Sequence, residues 1–153
     1  GDITYHGPGQ LVVYPIIDLN WYALNIHAYM RLLEDAVIGV CAQFGVSADR
    51  EKGATGVWVT GAQGVSSAKI CALGVRVRRW VSMHGLALNV TTNLEHFDLI
   101  VPCGLTGRTV TSLQRELGSA CPSIAQVKQA MVGHFNRLLA DRRRAAGAGP
   151  TPA

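Results

Sequence analysis

Cys103 stands in the run Ile100-Val101-Pro102-Cys103-Gly104-Leu105, between a proline and a glycine. Neither neighbour readily continues a helix or a sheet, so the thiol is expected on a turn, where a nucleophile can be displayed. A second unusual stretch is Lys69-Ile70-Cys71-Ala72-Leu73-Gly74-Val75-Arg76, in which a lysine interrupts an apolar strand. Burying an ammonium is costly, whereas a neutral amine there could take a thiol proton and leave a thiolate. The pair suggests acyl transfer through a thioester. Taken singly, each residue has a plainer reading: an inert buried thiol for Cys103, and for Lys69 a strand-end side chain that covers the sheet and reaches water.

The opening Gly1-Asp2-Ile3-Thr4-Tyr5-His6-Gly7-Pro8-Gly9-Gln10 is a third chemical feature. Its glycines let backbone amides approach a ligand carbonyl or phosphate, although a surface turn can have the same composition. His6 and His84 raise the rival of a Cys/His dyad. Five histidines without paired spacing give no metal site. The other thiols, Cys41, Cys71 and Cys121, form neither a CxxC pair nor a disulfide framework, and the first two read as core residues.

The elements that must position these residues can be read from periodicity. Leu11 to Leu19 reads as a buried strand, and Asn25 offers an N-cap for a helix with Ile26, Tyr29, Met30, Leu33, Val37, Val40, Cys41 and Phe44 on one face and a stop at Gly45. Gly56 to Thr60 reads as a strand and Gly61-Ala62-Gln63-Gly64 as a turn. Ala68 to Arg79 and Val81 to Val90 form a hairpin about Arg79 and Trp80. If no bulge intervenes, Lys69 shares the inward face with Cys71, Leu73, Val75 and Val77, and His84 shares one with Leu86, Leu88 and Val90. A short helical segment follows near Leu94 to Leu99. Ser112 to Leu117 reads as a helix stopped by Gly118, and Ser123 with Gln126 makes a capping box for a helix to about Arg142. Strands mixed with peripheral helices argue for an α+β domain, with residues 1–144 as one unit and 145–153 as a disordered tail.

The 153 residues suit one domain. With 48% hydrophobic and 16% charged residues but no apolar run near the ~18 residues of a membrane span, the chain reads as soluble. A formal charge of +4 favours an acidic partner. Arg142, Arg143 and Arg144 read as a solvated helix end rather than a nucleic-acid patch, since no aromatic residue interleaves them.

Taken together and in this order, the glycine-rich opening, the Lys69 stretch and the Val101-Pro102-Cys103-Gly104 turn resemble the lipoate-pathway octanoyltransferases. The resemblance runs from Gly1 to about Leu117. It implies the biotin and lipoate protein ligase fold, a mixed sheet with packed helices. It further implies transfer of an octanoyl group from acyl carrier protein to a lysine of a lipoyl domain, in 2-oxoacid dehydrogenase complexes or the glycine cleavage H protein. By the same resemblance Cys103 is the acyl-thioester cysteine and Lys69 its dyad partner. The substrate site then includes Gly1, Asp2, Ile3, Thr4, Tyr5 and His6, together with Ala72, Leu73, Gly74, His84, Gly85, Leu86 and Ala87. Small residues in the last two stretches would leave room for an eight-carbon chain. A thioester donor already holds the energy of the amide, so no cofactor is expected, nor any metal, nucleic acid or membrane.

The resemblance also implies a cytoplasmic enzyme, or a mitochondrial one in a eukaryote. The family motif normally has an arginine and a further glycine before Gly1, and an N-terminal portion of the fold precedes it, so a truncated chain is expected. The outward Arg76, Arg78 and Arg79 are either a solubilising edge or a contact for the acidic carrier protein. Two rivals remain. One is an ATP-dependent lipoate or biotin protein ligase, which needs no thiol at Cys103; the other is a noncatalytic remnant that holds acylated carrier protein.

Overall fold

The computed structural model describes residues 5–60, 67–99 and 109–147. Helix α1, Ile26–Gln43, starts where Asn25 Oδ1 accepts a hydrogen bond from Ala28 N at 2.8 Å, and it passes into Gly45 in the left-handed region at φ 84°. Its buried positions, Tyr29, Leu32, Leu33, Ala36, Val37, Val40 and Cys41, recur at helical spacing and give it one apolar face. Helix α2, Leu113–Leu117, is capped by Ser112, whose side chain accepts from Arg115 N. Helix α3, Ile124–Ala145, begins at the Ser123/Gln126 capping box and packs along α1, burying Val127, Ala130 and Met131.

The strands are β1 Gln10–Val13, β2 Ala48–Glu51, β3 Ala54–Val59, β4 Ala68–Arg78, β5 Val81–Asn89 and β6 Thr109–Val110. Their order is β1-β5-β4-β3-β2 with antiparallel neighbours, and β6 lies parallel to the beginning of β4. One sheet face carries Leu11, Val57, Cys71, Leu86 and Leu88 into a core shared with the helices. The opposite face is where the candidate site is assembled.

Several expectations hold closely: α1, the hairpin of β4 and β5, the capping box, and the 3-10 segment Leu94–Leu99. Others need correction. The first strand stops at Val13, because Pro15 supplies no N–H to a ladder; the chain rejoins β5 only at the Asp18–Val81 bridge. Between these points buried Ser82 substitutes for the ladder, its hydroxyl accepting from Ile17 N at 3.0 Å and donating to Pro15 O at 2.8 Å.

Strand β2 has no apolar alternation to announce it. It is held by pairing with β3 and by Arg50, which bonds buried Glu34 of α1 at 2.8 Å and also pairs with Asp35. Helix α3 runs through Ala145, beyond the expected end near Arg142. The proposed turn at Gly61 to Gly64 and most of the proposed tail lie outside the described residues.

Candidate active site

The decisive feature is a bulge in β4. Val57 pairs with Cys71 but the next residue, Trp58, pairs with Lys69, so β4 spends an extra residue, Ile70, against β3. Ile70 and Cys71 are both fully buried in the core, whereas Lys69 is half-buried and stacks on Trp58. The inward orientation expected for Lys69 is thereby overturned. The extra residue resets the alternation, and the amine lies with Trp58 on the face away from the helices.

On that face Lys69 borders a row of small residues. Ala72 pairs with Ala87 and Gly74 with Gly85 across the β4/β5 hairpin, while Gly56 sits one residue before the bulge on β3. Leu73 and Leu86 of the expected substrate stretches face the core instead. A Cβ on Gly74 would meet nothing within 4 Å, leaving true open space. Gly85 differs, because a Cβ there would lie 2.2 Å from Val13 O and 2.9 Å from Pro15 Cδ. Its room is already taken by the backbone leaving β1. Gly85→Ala is therefore expected to destabilise the fold by about 1–3 kcal/mol, whereas Gly74→Ala leaves stability nearly unchanged; thermal unfolding of the two variants checks the contrast.

His84 is exposed, not in phase with the buried residues of β5, because its φ of 61° turns it out of the strand's alternation. Its ring meets Tyr14 edge-on at 5.7 Å between centroids. Tyr14 also reaches His6 Nε2 at 3.4 Å, so the two histidines converge on a tyrosine that pattern reading passed over. Polar groups behind His6 set its tautomer. Asn89 Nδ2 donates to Thr111 O at 3.0 Å, Asn89 Oδ1 accepts from Gln10 Nε2 at 2.9 Å, and Gln10 Oε1 thus faces His6 Nδ1 at 3.1 Å. A carbonyl at one end orients two amides in turn, so His6 Nδ1 donates to Gln10 Oε1 while Nε2 faces Tyr14. The same segment is tied to the lysine strand, since Thr111 N donates to Lys69 O at 2.9 Å. Tyr5 lies apart from this chain and bonds His96 Nδ1 at 2.6 Å.

Cys103 and Gly1 to Thr4 lie outside the described residues. The three other thiols make poor nucleophiles. Burial pushes Cys41 up to about 12, and burial, then the neighbouring Cys41, raises Cys71 well above the usual range. Burial also raises Cys121. Among the described residues no group of three His, Cys, Asp or Glu side chains is placed to hold a metal ion, and no helix is long and apolar enough to cross a membrane.

Residues 1–136 match the sequence pattern of the "Lipoyl protein ligase A/B catalytic domain". The chain belongs to this family. Within it, the octanoyltransferase of Christiangramia forsetii is 50% identical over 138 residues, covering 90% of this chain and 58% of its own length. The octanoyltransferase of Bacteroides thetaiotaomicron is 50% identical over 144 residues, covering 94% and 63%. The chain thus spans about 58–63% of the length of these relatives.

Solved structures share the fold. A bi-partite lipoate protein ligase of Thermoplasma acidophilum aligns with a TM-score of 0.68 at 21% identity, over 92% of this chain and 55% of that one. Biotin protein ligase of Aquifex aeolicus gives 0.65 at 12% identity, over 89% and 55%. The expected lipoate and biotin ligase fold is confirmed.

The family's β4/β5 hairpin carries a further feature here. Arg79 and Trp80 both have positive φ, 51° and 65°, as a two-residue turn between twisted strands requires, although neither is a residue that favours it. The turn holds Arg76, Arg78 and Arg79 exposed at one end of the hairpin, with Met83 opposite Arg76 and Val81 opposite Arg78. By strand alternation Arg76 and Arg78 share the face of Gly74 and Ala72.

Proposed function

We propose that this chain carries the catalytic machinery of an octanoyltransferase that moves an octanoyl group from acyl carrier protein to a lysine of a lipoyl domain. The observation that carries the reading is the half identity, over nine-tenths of the chain, to proteins bearing the name octanoyltransferase. The placement of Lys69 on the sheet face of Ala72, Gly74 and Ala87, with open space over Gly74, supports it, since an amine beside a surface of small residues is what an acyl thioester needs.

In this reading the Cys103 thiolate attacks the thioester carbonyl, the bond to the carrier's sulfur breaks, and that sulfur leaves as a thiol with a proton from Lys69. The acceptor lysine then attacks the octanoyl-Cys103 thioester, an amide forms, and its surplus proton passes to Lys69 as Cys103 is released. His6 and His84, joined through Tyr14, serve the substrate-binding side. The acceptors are the lipoyl domains of 2-oxoacid dehydrogenase complexes and of the glycine cleavage H protein, and the reaction runs in the cytoplasm, or in the mitochondrion of a eukaryote.

Incubation with octanoyl carrier protein in the absence of ATP tests the reading. Intact mass should gain one octanoyl group that hydroxylamine removes, and free octanoate without ATP should add nothing. Strict dependence on ATP would move the assignment to the ligases, whose fold the chain shares. No adduct under either condition would favour a noncatalytic acyl-carrier-binding module.

The hairpin arginines are assigned to carrier docking. Because steered association weakens as salt screens charge, Arg76→Glu with Arg78→Glu should raise KM for octanoyl carrier protein and spare a small octanoyl thioester. Equal losses with both donors indicate structural damage instead, and unchanged kinetics with both return these arginines to a solubilising role.

A further inference from the structure

Lys69 is held by an aromatic residue that neither periodicity nor motif singled out. Its Nζ lies 4.7 Å from the centre of the Trp58 ring, within the range at which an ammonium is attracted to the face of an indole. Trp58 is 2% exposed and lies outside the main core cluster, so the bulk of this large side chain is spent on the opposite face, where it meets the lysine. The register puts the two residues directly across from each other as a cross-strand pair, which the bulge at Ile70 makes possible.

Gly56 completes the cradle. It has a φ of 122°, and a Cβ there would lie 3.2 Å from Lys69 Cε and 2.7 Å from Cys71 O. Any side chain would crowd the lysine stem. Gly56 and Trp58 are two residues apart on β3 and so share a face, one leaving a channel for the methylenes and the other supplying a ring for the amine.

We infer that Trp58 is a positioning residue for Lys69: it holds the side chain extended along the open face and stabilises its ammonium form between proton transfers. The inference rests on the proposed role of Lys69 for its consequence in transfer, but not for the contact itself. A proton carrier must alternate between amine and ammonium, and an indole attracts only the second. The ring therefore weights the balance toward the ammonium and limits the positions the amine can sample.

The chain contains only Lys52, Lys69 and Lys128 as lysines, so protein labelled with ¹³Cε-lysine gives three resolvable side-chain signals, assigned with Lys52→Arg and Lys128→Arg. In the unsubstituted protein the Lys69 methylene protons should show an upfield ring-current shift. Trp58→Leu should abolish that shift and lower the Lys69 titration midpoint by about half a pH unit or more, while Trp58→Phe keeps part of both. In the transfer assay the acidic limb of kcat should move to lower pH by the same amount in Trp58→Leu.

Lack of a ring-current shift on Lys69 in the unsubstituted protein would overturn the inference without any variant. So would an unmoved midpoint in folded Trp58→Leu. Should the unsubstituted protein transfer no octanoyl group, the functional reading fails alone, because the spectroscopic result does not depend on turnover.

Discussion

Cys103→Ala is expected to lose octanoyl transfer by roughly 10³-fold or more and to accumulate no acyl adduct, since removing a nucleophile eliminates the covalent route altogether. Cys41→Ala and Cys71→Ala should retain the adduct. At pH 8 a thiol held near 12 is ionised in only about one molecule in 10⁴, and Cys71 is raised in the same direction by burial in the same core. These two substitutions should instead appear in thermal unfolding, because both side chains are fully buried. Peptide mass spectrometry of the acylated protein discriminates: label on the peptide containing Cys103 supports the assignment, and label on Cys71 overturns it.

Lys69→Arg separates two functions that one lysine can combine. An arginine keeps a positive charge, and can still favour a nearby thiolate, but does not deprotonate at working pH. Cys103 should therefore remain alkylatable by iodoacetamide while octanoyl transfer falls by roughly 10²-fold or more, the scale of a lost general acid/base. The position is also sterically demanding, with Gly56 and the Trp58 ring against the lysine stem, so circular dichroism must first establish that the variant folds. Near-normal transfer would mean that Lys69 acts by charge alone. The proton carrier would then be sought in His6, whose Nε2 faces Tyr14, or in His84 on the other side of the same tyrosine.

Local patterns carried much of the architecture. Helix α1 was legible because an amide side chain, an apolar stripe at helical spacing and a terminal glycine all agree; α3 was legible because Ser123 and Gln126 reciprocally cap its first turn. The hairpin was visible as two alternating runs, and its turn fell where expected. Strand β2 was not visible, since Ala-Asp-Arg-Glu has no apolar face and is ordered by the ladder to β3 and by ion pairs to α1. The path after β1 depended on Ser82, which bonds Ile17 N from sixty-five residues further along the chain.

For the site, sequence alone determined which residue types could do the chemistry, through Pro102-Cys103-Gly104, the lysine in an apolar strand and the glycine-rich opening. It did not determine where the lysine points. Ile70 and Cys71 are both apolar, so no break in composition marks the bulge, and a single extra residue puts Lys69 on the face opposite Cys71 and Leu73. Only the pairing of β4 with β3 decides that Lys69 lies on Trp58 and Gly56 instead of in the core. Tertiary structure likewise decided that His84 turns outward to meet Tyr14 and His6, and that Gly85 accommodates the protein's own backbone while Gly74 stays open. Side-chain type is inscribed residue by residue, but strand register and the close approach of distant backbones are properties of the assembled sheet.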